Sequence, residues 1–165
     1  MKLLPFLLKE LDQESTTTNK FLKLVPLERF DWKPHPKSMS LKQLSVHIAD
    51  IPGWIDVAIN TDGINFADSP YKPTPVNNTQ ELLDLLQTSV AKGYEALSKT
   101  NEEELLKTWT MKNGDQVFMA MSKYESVRHS FSQLIHHRAQ LGVFLRLLNI
   151  PIPGSYGPSA DESAF

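Results

Sequence analysis

Apolar residues recur at helical spacing in four stretches of the chain. In the last, Ser130, Leu134, His137, Leu141, Phe144 and Leu148 step by four, three, four, three and four, which is one stripe of an α-helix. Only Ser130 and His137 are polar on it. A histidine there faces the core, where each ring nitrogen needs a partner. Gln133 lies one turn earlier on the same face. Ser122 with Glu125 makes a capping pattern, and Pro151 and Pro153 make a stop, so the helix spans about 122–149.

The other three stretches read similarly. Leu4, Leu7, Leu11, Thr18, Phe21 and Val25 predict a first helix over roughly 2–25, with Pro5 in its first turn. Glu14 falls in the gap of that stripe; a solvated carboxylate at the helix edge is the expected reading, a side chain turned towards a site the alternative. Ser40 with Gln43 opens a second helix over about 40–60, carrying Leu41, Leu44, Ile48, Ile51, Ile55 and Ala58. Pro52 and Gly53 should kink it. His47 lies at the edge of its buried face, and Trp54 at its margin. Asn78 with Glu81 opens a third helix over roughly 79–98, with Leu83, Leu86, Val90, Gly93 and Leu97 inward; Gly93 marks a close helix approach.

Between these helices, 26–39 is a proline-bearing loop and 61–77 a long connection containing Gly63, Pro70, Pro73 and Pro75. Residues 101–107 suit one helical turn. Trp109-Thr110-Met111 and Val117-Phe118-Met119 flank Asn113-Gly114, the signature of a small hairpin. Four amphipathic helices with long connections predict an all-α four-helix bundle, one domain over 1–165 with an extended tail at 150–165.

Composition narrows the chemistry. The chain has 165 residues, 41% hydrophobic and 22% charged, as in a folded globular protein. A net charge of −2 gives no electrostatic case for nucleic-acid binding. The absence of cysteine excludes disulfides, thiolate ligands and a cysteine nucleophile. The start MKLLPFLL imitates a signal peptide, but Lys9, Glu10 and Asp12 break it, and no run approaches a membrane span of about 18 apolar residues. The expectation is a soluble cytoplasmic protein.

His47 from the second helix, with Gln133 and His137 from the last, could meet. One histidine plus an i, i+4 pair on another helix is a common way to hold a metal inside a bundle, with positions left open for water or substrate. Satisfied core histidines are the other reading of the same spacing, and the commoner one. His129 lies about 12 Å along the helix from His137, too far to share an ion, and His136 is rotated about 100° away. His35 reads as an exposed loop residue. Arg138 is expected to hold Asp161 or Glu162 of the tail in a structural ion pair. Trp54, Trp109 and Tyr156 either line a pocket mouth or simply pack.

The segments PHPKSMSLKQLSVHIADIPGW, LIHHRAQLGVFLRLL and PIPGSYGPSADE give the chain its resemblance to the DinB-like superfamily, which includes the YfiT-type proteins, over nearly its whole length. The resemblance implies an up-down-down-up four-helix bundle and a homodimer. It also implies a divalent metal, often nickel or zinc, on three histidines. His47 matches the ligand from the second helix, and His137, directly before Arg138, the last ligand. The remaining position falls on Gln133, where the family usually has histidine. A carboxamide oxygen is a harder and weaker donor than imidazole, so the site is weakened, altered in preference, or lost.

Two functions follow from the resemblance. The first is a metal-dependent hydrolase or thiol S-transferase using a low-molecular-weight thiol, the ion lowering the pKa of a bound water or thiol; Glu14 is the sole general base that can be placed. The second is a non-catalytic dimeric binding or stress-response module that has lost the metal through Gln133. Neither needs nucleic acid or membrane.

Overall fold

The computed structural model describes residues 2–68 and 72–163; Pro70 of the long connection lies outside them. Helix α1 spans Leu4–Leu22, with Pro5 in its first turn, where a missing N–H leaves no helical bond unmade. Helix α2 spans Leu41–Asp50 and starts on the capping box foreseen: Gln43 N donates to Ser40 Oγ at 3.2 Å, and Ser40 N to Gln43 Oε1 at 2.8 Å. The expected kink is a break. A 3₁₀ turn over Ile51–Gly53 separates α2 from α3, Trp54–Asn60, because Pro52 has no N–H to continue the α ladder. Helix α4, Thr79–Lys99, packs into that break. A Cβ on Gly93 would stand 2.6 Å from Pro52 O, so only glycine admits the approach.

The all-α expectation is corrected by a three-stranded mixed sheet in the order β1-β2-β3. The hairpin β2 (Thr108–Asn113) and β3 (Gln116–Ser122) was foreseen, but its turn is Gly114-Asp115, with Gly114 at φ 58°, one residue beyond Asn113-Gly114. Strand β1, Gly63–Asn65, lies in the stretch read as a connection. Three residues are too few to show alternation, and β1 exists through its parallel pairing with β2, Gly63 to Thr110 and Asn65 to Lys112. Between Met111 and Lys112 the β2–β3 register slips, leaving Phe118 as an extra residue in β3.

Helix α5, Lys123–Leu147, starts on the Ser122–Glu125 capping box. It ends before the prolines: Asn149 takes a left-handed φ of 59°, Asn149 N donates to Arg146 O, and Ile150 N to Leu145 O, a Schellman ending. Its buried stripe is Val127, Phe131, Leu134, Arg138, Leu141 and Leu145, so Arg138 points into the protein and His137 sits half-buried at the margin. On α4 the stripe is likewise shifted, with Leu82, Ser89 and Ala96 buried while Leu83 and Val90 are half-buried. The core forms two clusters, one around Leu22, Leu44, Ile48, Leu82 and Leu141, the other around Leu11, Ile55, Leu97, Val127 and Phe131. Among the described residues, no helix is long and apolar enough to cross a membrane.

Candidate functional site

The break after α2 sets His47 and Trp54 against each other, with ring centroids 5.2 Å apart and edge to face. Trp54 is held one turn from Asp50, its Nε1 donating to Asp50 Oδ2 at 3.3 Å. Across the bundle His47 meets His137, edge to face at 4.6 Å between centroids. The two helical histidines singled out in the sequence are therefore together. Gln133 joins them: its Oε1 lies 2.9 Å from His137 Nε2.

The hydrogen bonds around His137 admit two tautomers. Gln140 Oε1 lies 3.2 Å from Nδ1, and Gln140 Nε2 lies 2.9 Å from His136 Nε2. In one arrangement Gln140 gives its N–H to His136 and its oxygen to His137 Nδ1–H; with the Gln140 amide turned, His137 carries its proton on Nε2 and donates it to Gln133 Oε1. Burial holds His137 below the usual histidine range, with exposed His136 adding to that and the Gln140 bond opposing it. Burial likewise lowers His47, His137 lowers it further, and Asp50 opposes. Both rings are neutral at pH 7, the form in which imidazole ligates. A neutral His137 with its proton on Nδ1 has a lone pair on Nε2, facing the Gln133 carboxamide. Two arrangements satisfy that pair. Gln133 can turn its amide by half a rotation and donate N–H to Nε2, or a cation can take both the nitrogen and the oxygen. Two neutral imidazoles and a carboxamide oxygen fit a divalent ion of borderline softness, more weakly than three imidazoles would. Among the described residues, no cluster of three His, Asp or Glu side chains offers an alternative.

His47 also lines a chamber of about 300 Å³. Helix α3 contributes Trp54 and Val57; α5 contributes Ser126, His129 and Ser130; the sheet side contributes Ile64, Phe66, Trp109 and Met111. The sheet residues share a face for a simple reason. Trp109 and Met111 are two apart on β2, and Ile64 is the register partner of Met111. Trp109 is anchored by Nε1 donating to Thr61 Oγ1 at 3.1 Å. Phe66 rests near Phe118, the extra residue of β3, at 6.5 Å between centroids. Trp54 and Trp109 are thus chamber walls. Ile64, Phe66, Met111 and His129 were not foreseen as site residues, although His129 shares a face with Gln133 and His137 at spacings of four and eight.

Arg138 corrects another expectation. Arg138 is 2% exposed and meets Glu14, which is 6% exposed rather than solvated. Arg138 Nη1 lies 2.7 Å from Glu14 Oε2 and donates to Glu14 O and Thr18 Oγ1, both at 3.1 Å, so Oε2 is compensated by charge more than by an aligned hydrogen bond. Arg138 Nη2 donates to Tyr156 OH at 3.1 Å, and Tyr156 OH donates to Glu14 Oε1 at 2.6 Å. Burial and the Glu14 carboxylate push the Tyr156 phenol up to about 12. Glu14 is thereby committed to Arg138 and Tyr156, which argues against its service as a general base beside His47. Tyr156 clamps the tail and takes no part in the chamber wall. The tail carboxylates serve elsewhere: Asp161 pairs with Arg146 at 2.7 Å and accepts from Ile152 N, and Glu162 accepts from Gly154 N. His35, exposed in its loop, accepts from Lys37 N.

The fold has solved counterparts. A DinB-like protein of Bacillus subtilis superposes with a TM-score of 0.71 at 17% identity, over 96% of this chain and 99% of that one. A DinB family protein of Exiguobacterium sibiricum gives 0.70 at 22% identity, over 93% and 97%. A mycothiol-dependent maleylpyruvate isomerase gives 0.60 at 16% identity, over 84% of this chain and 60% of that one. At such identities the likeness establishes shared architecture. No curated protein matches the chain. The model of the DinB family, however, matches residues 2–164, and with the fold in agreement the chain belongs to the DinB family.

Proposed function

We propose that this protein is a small-molecule enzyme, a metal-dependent hydrolase or thiol S-transferase, whose divalent ion is held by His47, Gln133 and His137. The observation that carries this reading is the double placement of His47, which stands against His137 on one side and in the chamber wall on the other. A ligand set and a substrate-sized cavity therefore share a residue. A bound nickel or zinc ion would supply Lewis acidity, lowering the pKa of a coordinated water or thiol. The protein's own residues supply neutral imidazoles, a Gln140 bond that orients the His137 ring, and apolar walls around the chamber. With no cysteine in the chain, the sulfur of a transferase reaction comes from a small thiol. The fold shared with a mycothiol-dependent isomerase supports the thiol branch. A homodimer is part of this reading, supported by Val143 and Leu147, exposed one turn apart on α5.

The Gln133–His137 contact favours one other reading, a non-catalytic binding module in which Gln133 hydrogen-bonds His137 without an ion. Elemental analysis of untagged protein, with turnover of a thiol and an electrophile panel in the presence of nickel or zinc, separates the two. Turnover that needs added metal and vanishes in His47→Ala supports the enzyme. No turnover at any metal concentration leaves the module.

A further inference from the structure

The chamber beside His47 has a chemistry of its own. None of its lining residues carries a fixed charge, and its polar groups are imidazoles and serine hydroxyls. Ser130 already donates to Ser126 O, at 3.2 Å. Trp54 and Trp109 give two broad aromatic surfaces, and Met111 an adaptable thioether edge. The imidazoles stand toward different ends. His47 packs on His137, and His129 lies two turns before His137 on α5.

These features select an occupant. A carboxylate or phosphate entering the chamber would lose hydration and meet no lysine or arginine in the lining, so an anionic body is disfavoured. At about 300 Å³ the volume is at the small end of ligand sites, too small for a nucleotide or a folded peptide loop. An aromatic ring system gains from both tryptophans, and a single polar group on it can reach His129.

We propose that the chamber binds an uncharged, flat, largely aromatic molecule that hydrogen-bonds His129 at one end and presents its other end to His47. This deepens the enzymatic reading: the chamber holds the apolar acceptor, and any thiol or water enters from the His137 side. It rests on that reading for its catalytic meaning alone, because the binding itself requires no metal.

The test is calorimetric titration of metal-free protein with 2-naphthol, 2-methoxynaphthalene and 2-naphthalenesulfonate. One site per chain is expected for 2-naphthol, with the sulfonate weaker by about tenfold or more. Val57→Trp and Ile64→Phe, filling the chamber from its α3 and sheet sides, should each weaken 2-naphthol by about tenfold or more, and either one that folds suffices. His129→Leu should weaken 2-naphthol about three- to tenfold and leave 2-methoxynaphthalene, which has no proton to donate, nearly unchanged. No saturable binding, equal binding of the sulfonate, or indifference to the filling variants overturns the proposal. Equal loss of both neutral probes in His129→Leu overturns the His129 contact. If these bindings hold while metal-dependent turnover fails, the chamber stands and the enzymatic reading falls.

Discussion

His137 and Arg138 are neighbours in sequence and about 100° apart on the same helix, yet they belong to opposite kinds of polar centre. Arg138 is enclosed, charged and satisfied by Glu14, Thr18 and Tyr156, which tie α5 to α1 and the tail. His137 is half-buried and neutral, and its Nε2 faces a carboxamide in a contact that closes as Nε2–H to Oε1, by a turn of the amide, or through a cation. The first arrangement pairs its opposite charges inside the fold, which marks structure. The second stands beside a chamber and is the site the proposed function uses. On the proposed reading, the most buried ionised pair near the site holds the fold, and the less buried histidines are the chemical candidates.

The largest effect expected is on Arg138. Arg138→Ala leaves Glu14 buried and unpaired, which costs about 3–5 kcal/mol. The double variant Arg138→Met, Glu14→Gln should recover much of that, because no uncompensated charge remains. Denaturant unfolding measures both. His137→Gln, by contrast, should cost no more than about 1 kcal/mol, as for a half-exposed side chain. Similar losses for Arg138→Ala and His137→Gln would erase the distinction between the two centres.

Acid should act through the histidines. His47 and His137 both have folded pKa values below the unfolded value of about 6.5. Below that pH the unfolded chain binds more protons than the folded one, so their contribution is present above about pH 6.5 and lost as pH falls. Melting temperature should therefore drop between about pH 7 and pH 5.5, and a His47→Gln, His137→Gln variant should drop less. Parallel curves for the two proteins would show that these rings are not held neutral by the fold.

An effect between those of Arg138→Ala and His137→Gln is expected at the tail. Tyr156→Phe removes a hydroxyl that donates to Glu14 and accepts from Arg138, and should cost about 1–2 kcal/mol, read by thermal melting. No change would mean that the tail docks through Asp161 and Arg146 without this clamp.

The helices were legible because their caps and stripes are local: Ser40–Gln43, Asn78–Glu81 and Ser122–Glu125 all start helices as read. His47 and His137 were legible as polar interruptions of apolar stripes. The phase of the stripe was harder to read. Phe144 and Leu148 draw it one residue away from the buried line through Arg138 and Leu145, so the sequence pairs Arg138 with the tail and leaves Glu14 at a solvated edge. Pairing of charges 124 residues apart leaves no local trace. Nor does β1, three residues that become a strand only against β2, and with it the Ile64 and Met111 wall of the chamber was hidden.

The claim that joins these observations is that Gln133 is a ligand position weakened by its carboxamide. Calorimetric titration of zinc and nickel into the wild-type protein and Gln133→His tests it directly. The side chain already stands one turn from His137 and beside its Nε2, so an imidazole there completes the set without moving the backbone. The expected result is tighter binding in Gln133→His by on the order of a hundredfold, with one ion per chain. Equal affinities in the two proteins would contradict the account and leave Gln133 as a hydrogen-bond partner of His137 alone.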